Sequence, residues 1–277
     1  MPTIALAQID ITLADRERNL SRIIQVLGET AAKGAKLTVF PEAALTGYCY
    51  DSLDEARPHA EPIPGPSTQR LTGICRELGC HVVYGLLEAD GNRLFNACAL
   101  VGPDGLVASY RKIHLPFLGV DRFTTPGDRP FAVHEAAGMR IGMNICYDGG
   151  FPESARVMML QGADLVVLPT NWPPGSQCMA GFAVNTRAME NNIYYAACDR
   201  VGTERGFRFI GQSKICDPSG RPLAEAPHDR EEILYAEIDV EKARRKKIIR
   251  VPNLHEIDRL RDRRPEMYGE IAKPKTQ

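Results

Sequence analysis

The chain has 277 residues, enough to bury a substantial core as one large domain or two small ones, and 34 basic residues face 35 acidic ones for a formal net charge of −1. That balance gives no reason to expect nucleic acid as a partner, and no apolar run approaches the ~18 residues of a membrane span. Eight cysteines without C-x-x-C spacing are too dilute for a disulfide scaffold, and six histidines show no paired-ligand spacing, so no metal is expected.

In chain order, residues 3–9 form a β-rich run with no basic leader before it, which predicts a soluble, cytoplasmic protein. Leu20, Ile23, Ile24, Leu27 and Ala31 recur at helical spacing across 16–32, and Gly34 stops that helix. Residues 36–40 return to strand and end at Pro41-Glu42. A second helix carries Leu71, Ile74, Cys75 and Leu78, with Gly79 as its stop. Three consecutive strands follow at 81–87, 95–101 and 106–113, joined by turns at Asp90-Gly91 and Pro103-Asp104-Gly105.

The second half repeats the alternation. A strand at 139–146 leads to a helix at 152–161, with Pro152 in its first turn and Glu153 behind it. A strand at 165–168 ends at Pro169-Thr170-Asn171-Trp172, and a helix at 179–191 precedes a strand at 193–197. A hairpin (211–216 and 222–226) and a strand at 233–238 close the sheet. No linker or repeat interrupts the chain, so 1–277 reads as one domain whose segment from about 240 to 277 is an extension used in packing or oligomer contacts. Two α-β halves of mixed strands predict two mixed sheets packed face to face with helices outside, a four-layer α-β-β-α sandwich. A doubly wound single sheet is the alternative.

The chemistry centres on Cys146, in Asn144-Ile145-Cys146-Tyr147-Asp148-Gly149-Gly150. A thiol at a strand-to-helix elbow lies beside free backbone N–H groups and the positive end of a helix, which favour a thiolate and an adjacent oxyanion. Most free cysteines are simply small buried hydrophobes, as Cys98 and Cys198 are expected to be. Glu42 and Lys112 stand at the ends of two other predicted strands, on the rim where α/β sites gather. Either alone reads as a solvated charge.

Seven segments together change that reading. They are Val39-Phe40-Pro41-Glu42-Ala43, Tyr110-Arg111-Lys112-Ile113-His114-Leu115, Gly142-Met143-Asn144-Ile145-Cys146-Tyr147-Asp148 and Gly162-Ala163-Asp164-Leu165-Val166-Val167-Leu168-Pro169. Arg187-Ala188-Met189-Glu190-Asn191-Asn192, the run 211–220 and the tail Arg263-Arg264-Pro265-Glu266-Met267-Tyr268 complete the set. In this order they resemble the nitrilase superfamily of carbon–nitrogen hydrolases over nearly the whole chain. The resemblance implies a Glu42–Lys112–Cys146 triad that transfers an acyl group through a thioester, with Glu42 as general base and Cys146 as nucleophile. Lys112 and the backbone N–H of Tyr147 would hold the oxyanion, each such donor being worth about 3 kcal/mol. No cofactor is implied, and a homo-oligomer of two or more copies is.

The pattern breaks in one place. Many members carry a second glutamate after the lysine, where this chain has Val120 with Asp121 beside it. Asp121 either takes over that role or is a loop acid. Tyr48, Phe117, Asn171 and Trp172 are the candidates for the pocket. His114 is expected to be structural, Asp148, Glu153 and Arg156 to support the elbow, and the basic run 242–247 to be the solvated face of a short helix. Cys-Tyr-Asp at the nucleophile resembles the amidase and carbamoylase branches, which implies a small linear carboxamide or N-carbamoyl compound as the substrate and ammonia as a product. A nitrilase acting on a small nitrile is the enzymatic alternative, and a non-catalytic binding scaffold is the alternative from another class.

Overall fold

A computed structural model describes residues 1–273; residues 274–277 of the expected carboxy-terminal extension lie outside the described residues. The first half runs β1 (Thr3–Gln8), α1 (Arg16–Ala32), β2 (Ala35–Val39), α2 (Leu53–Ala56), α3 (Pro66–Leu78), β3 (His81–Asp90), β4 (Arg93–Gly102) and β5 (Gly105–Arg111). The second runs β6 (Val133–Ala136), β7 (Met139–Met143), α4 (Pro152–Leu160), β8 (Leu165–Thr170), α5 (Val184–Asn191) and β9 (Tyr194–Asp199). A small hairpin, β10 (Thr203–Glu204) and β11 (Phe207–Arg208), precedes β12 (Lys214–Cys216), β13 (Pro222–Glu225) and β14 (Glu232–Glu237). Helix α6 (Val240–Arg244) and the hairpin β15 (Lys247–Val251) and β16 (His255–Asp258) lead into the tail.

Two six-stranded sheets result, ordered β14-β1-β2-β3-β4-β5 and β13-β12-β9-β8-β7-β6. In each, three central strands run parallel and the flanking strands antiparallel. Strand alternation sorts the side chains into layers. Ile4, Leu6, Leu37, Val39 and Val83 of the first sheet meet Ile141, Met143, Leu165, Val167 and Ala196 of the second in one buried core. Val82, Tyr84 and Leu86, one position out of phase with Val83, face the other way onto Leu20, Ile23, Leu27 and Leu71 of α1 and α3. Ala155, Met158 and Ala188 of α4 and α5 cover the second sheet. The four-layer α-β-β-α sandwich is therefore the fold, and the single doubly wound sheet is not.

Three expectations need correction. The last long strand, β14, does not close the second sheet but crosses back to pair antiparallel with β1 at the edge of the first. The strand before the thiol stops at Met143, so Cys146 opens a short 3₁₀ turn (Cys146–Gly150). The basic run is not all solvated. Helix α6 ends at Arg244, whose guanidinium pairs with the buried Asp164 (2.9 Å), and Lys246 Nζ donates to the carbonyl of Asn192 (2.8 Å) just past α5. Those carbonyls have no partner inside the helix, so a lysine there is a cap rather than a surface charge. Among the described residues no helix is long and apolar enough to cross a membrane.

Candidate active site

The three strand ends converge. Glu42 sits three residues past β2 in a turn laid directly on β3: Phe40 N–H donates to the carbonyl of Val83 (2.8 Å) and Leu45 N–H to that of Gly85 (3.0 Å). Ala43, next to Glu42, has φ +50°, a left-handed conformation that tightens the turn. The close approach depends on Gly85, where a Cβ would lie 2.3 Å from the Ala43 nitrogen and 2.7 Å from the Pro41 oxygen. Gly85→Ala is expected to push the Glu42 turn off the sheet. Because a misplacement of about 1 Å costs about 100-fold in rate, kcat should fall by that order. Turnover and melting temperature measured together check this, and a variant with normal kcat would show that the turn can yield.

Lys112 immediately follows β5, and its backbone continues the ladder, N–H to the Asn96 carbonyl (2.8 Å) and carbonyl to Gly127 N–H (2.8 Å). Cys146 stands at φ +46°, a strained elbow for a residue with a Cβ. Side chains behind it hold that shape. Asp148 accepts from Ile145 N–H (3.0 Å), Tyr110 Oη (2.8 Å) and His114 N–H (3.1 Å), and lies 2.7 Å from His114 Nδ1. The His114 ring stacks on Phe151 with centroids 3.6 Å apart. His114 thus braces the elbow through its backbone N–H, Nδ1 and ring face. Arg187 ties the far side down by donating to the carbonyls of Gly149 (3.1 Å) and Gly150 (3.2 Å). Glu153 is exposed and Arg156 half-buried, donating to the Glu190 carbonyl (3.0 Å).

Inside the chamber Glu42, Lys112 and Asp121 form one ionic group. Lys112 Nζ donates to Glu42 Oε1 (2.7 Å) and Asp121 Oδ2 (2.5 Å), and the lysine and glutamate are fully buried. Asp121 is therefore not a loop acid. It lies in a short 3₁₀ turn (Gly119–Arg122), which swings it inward although it is one methylene shorter than glutamate. Tyr48 Oη donates to the same carboxylate (2.8 Å), and its ring centroid lies 5.9 Å from Lys112 Nζ. Tyr48 is thus a wall of the lysine chamber. Its own backbone N–H is held by Glu204 (2.9 Å), whose carboxylate also meets the buried Arg200 (2.6 Å).

Two carboxylates share one ammonium out of contact with solvent, and burial and charge bias their protonation. Burial pushes Glu42 up, Lys112 opposes that, and the Asp121 charge adds to the rise. Burial by itself would depress Lys112, but Asp121 and then Glu42 outweigh it and hold the ammonium well above its ordinary range. Burial and then the Glu42 charge push the Cys146 thiol up, with Lys112, the Asn171 N–H and the Thr170 hydroxyl opposing. The resting nucleophile is a thiol beside a carboxylate, and its proton has to move during attack.

Trp172 and Asn171 are brought to the same end of the second sheet. Trp172 packs in the core that contains Cys146, with its backbone N–H donating to Asp199 Oδ1 (2.8 Å). The Asn171 side chain is fully buried with neither end of its amide bonded within the protein, so it is available to a ligand. Phe117 lies apart from them, 91% exposed over a surface cleft of about 280 Å³ shared with Tyr50, Arg122 and Phe207. Sequence reasoning missed Asn96, which touches both carboxylates. Its signal was a lone amide in the apolar strand Leu94-Phe95-Asn96-Ala97-Cys98. Among the described residues no group of three or more His, Cys, Asp or Glu could hold a metal ion.

Fold and chamber together define an α-β-β-α protein that presents a buried thiol to a carboxylate and an ammonium in a site built for acid–base work. The chain belongs to the carbon-nitrogen hydrolase family, whose profile matches residues 3–248, within the nitrilase superfamily, and it is an enzyme acting on carbon–nitrogen bonds other than peptide bonds. It is 38% identical over 269 residues to a protein named nitrilase from Pyrococcus abyssi, covering 97% of this chain and 99% of that one. It is 31% identical over 288 residues to the omega-amidase of Homo sapiens, covering 98% of both. Among solved structures, an amidase from Nesterenkonia sp. superposes with a TM-score of 0.80 at 26% identity, over 98% of this chain and 96% of that one. A Glu-to-Gln mutant of that amidase carries acrylamide added to its active site cysteine (TM-score 0.81, 26% identity, 98% and 100% coverage).

Proposed function

We propose that this enzyme is a thiol amidohydrolase that cleaves a small linear carboxamide or N-carbamoyl compound through a Cys146 thioester and releases ammonia. The observation that carries the reading is the buried Glu42–Lys112–Asp121 group, whose Glu42 and Lys112 charges act directly on the buried Cys146 thiol. In the first half-reaction Cys146 Sγ attacks the amide carbon while its proton passes to Glu42. Lys112 has three N–H donors and spends two on the carboxylates, so one remains for the developing oxyanion, with the Tyr147 N–H as its partner. Collapse breaks the C–N bond, and Glu42 returns the proton to the leaving amine. Water then attacks the thioester, Glu42 takes its proton and passes it to the departing sulfur, and the thiol is regenerated with release of the carboxylic acid or, from an N-carbamoyl compound, of a carbamic acid that breaks down to amine and carbon dioxide. A general base so placed contributes about 10²–10⁴-fold.

Asp121 supplies the second carboxylate that the chain lacked at Val120, and with it goes the one sequence argument for a non-catalytic scaffold. Nitrile hydrolysis is the second reading, supported by the 38% identity to the protein named nitrilase from Pyrococcus abyssi. Ammonia release across short amides, N-carbamoyl amines and short nitriles separates the two. Amides or carbamoyl compounds are expected to release ammonia at least tenfold faster than the matching nitriles, a difference of about 1.4 kcal/mol in barrier. Turnover of nitriles alone would establish the second reading instead.

A further inference from the structure

We propose that Asn96 is a positioning residue for proton transfer: its amide clamps Glu42 and Asp121 so that Glu42 Oε2 alone is left to exchange protons with Cys146, the leaving amine and water. The proposal rests on the amidohydrolase reading above. Asn96 lies in β4, fully buried, and its carbonyl accepts the Lys112 N–H (2.8 Å). Its Nδ2 spends one hydrogen on Glu42 Oε1 (2.7 Å) and the other on Asp121 Oδ1 (2.8 Å). Lys112 Nζ bonds the same Glu42 Oε1 and the other oxygen of Asp121. Glu42 Oε1 therefore carries two donors, while Oε2 is buried with no partner in the protein. An oxygen that already accepts two such bonds is the poorer base, and the unbonded one is the better.

The residue type fits this task. A primary amide presents two N–H groups in a fixed plane from a single point, whereas a serine at this site could reach one carboxylate and an aspartate would repel both. A second cation would match both carboxylates charge for charge and make Glu42 too weak a base to take the thiol proton. The amide is neutral, so it orients both acids without changing the charge of the chamber. Its hydrogen bond also favours the charged form of Glu42, in the same direction as Lys112 and against burial.

The test compares wild type with Asn96→Leu, which keeps the branching and heavy-atom count and removes both donors, and Asn96→Ser, which keeps at most one. Readouts are kcat, KM and the pH profile of kcat/KM on the best short amide, with melting temperatures alongside. Asn96→Leu is expected to lose about 100-fold in kcat with KM within about threefold of wild type. Losing the donor raises the pKa of the base, so the acid limb of kcat/KM should move up by about one pH unit. Asn96→Ser should fall between the two, and it carries the comparison if the leucine variant does not fold. A lowered melting temperature with an unmoved acid limb and near-normal kcat in the serine variant would reduce Asn96 to a structural residue and overturn the proposal. A wild type that releases no ammonia from any amide overturns the amidohydrolase reading and this proposal with it, so the two failures are distinguishable.

Discussion

Cys146→Ala is expected to abolish amide hydrolysis, by about 10⁶-fold when judged by loss of a nucleophile from a comparable acyl-transfer site, while the protein stays folded. The sulfur is the only atom removed, and deleting one small buried group costs on the order of 1 kcal/mol. The elbow is held by Asp148, His114 and Arg187 rather than by the thiol, so its geometry should survive. Cys146→Ser should be nearly as inactive. The chamber pushes even a thiol up in pKa, and a hydroxyl starts far higher still, beyond the reach of the Glu42 carboxylate. Intact-mass measurement with a slow amide supplies the positive half of the test. The acyl adduct should appear on Cys146 and on none of the other seven cysteines, with the exposed Cys178 as an internal control for non-specific labelling. An adduct elsewhere, or turnover in the alanine variant, would sink the assignment of the nucleophile.

Lys112→Met should cost both activity and stability, and the stability loss should depend on pH. Removing the ammonium leaves Glu42 and Asp121 buried together with only Asn96 and Tyr48 as donors. Breaking a buried ion group in this way costs about 3–5 kcal/mol. The folded variant can relieve the repulsion by holding a proton on the carboxylate pair, which raises that pair's apparent pKa above its unfolded value. The native state then binds more protons than the unfolded one, and stability falls as pH rises from the ordinary carboxylate range toward the raised value. Urea denaturation at two pH values checks the sign, with the variant expected to be more stable near pH 5 than near pH 8 (about 4 being the unfolded carboxylate value). In wild type the ammonium stays charged over this whole span and opposes the rise in Glu42, so a loss of the same sign but smaller size is expected. The loss of kcat should exceed 100-fold if Lys112 serves the oxyanion. A variant with wild-type stability at both pH values would show that the carboxylates are not held by this lysine.

Most elements were legible because their signals are local. The apolar spacing of Leu20, Ile23 and Leu27 and the stop at Gly34 place α1 where it is found. Boundaries failed where hydrogen bonding rather than pattern decides them. Ile145 looks like strand, yet its N–H goes to the Asp148 carboxylate, and the chain turns before reaching Cys146. The edge position of β14 failed for a related reason. Its apolar pattern states that it belongs in a sheet but not in which of two, and the pairing with β1 spans more than two hundred residues.

For the site, local chemistry in the sequence determined which groups carry it: a thiol between a strand and Pro152, a glutamate after Pro41 and a lysine at a strand end, each in a recognisable run of neighbours. Only the tertiary structure decided how they are wired. Asp121 and Val120 are adjacent, and which of them faces Lys112 depends on a single 3₁₀ turn. Phe117 looked as apt for the pocket as Tyr48, but one lies on the surface and the other under the lysine. Asn96 went unnoticed because an isolated amide in a strand says nothing until two carboxylates from loops 54 and 25 residues away close on it. Residue type sets what a group can donate or accept. Burial and distance, which set its charge and its partner, exist only once two sheets have packed face to face.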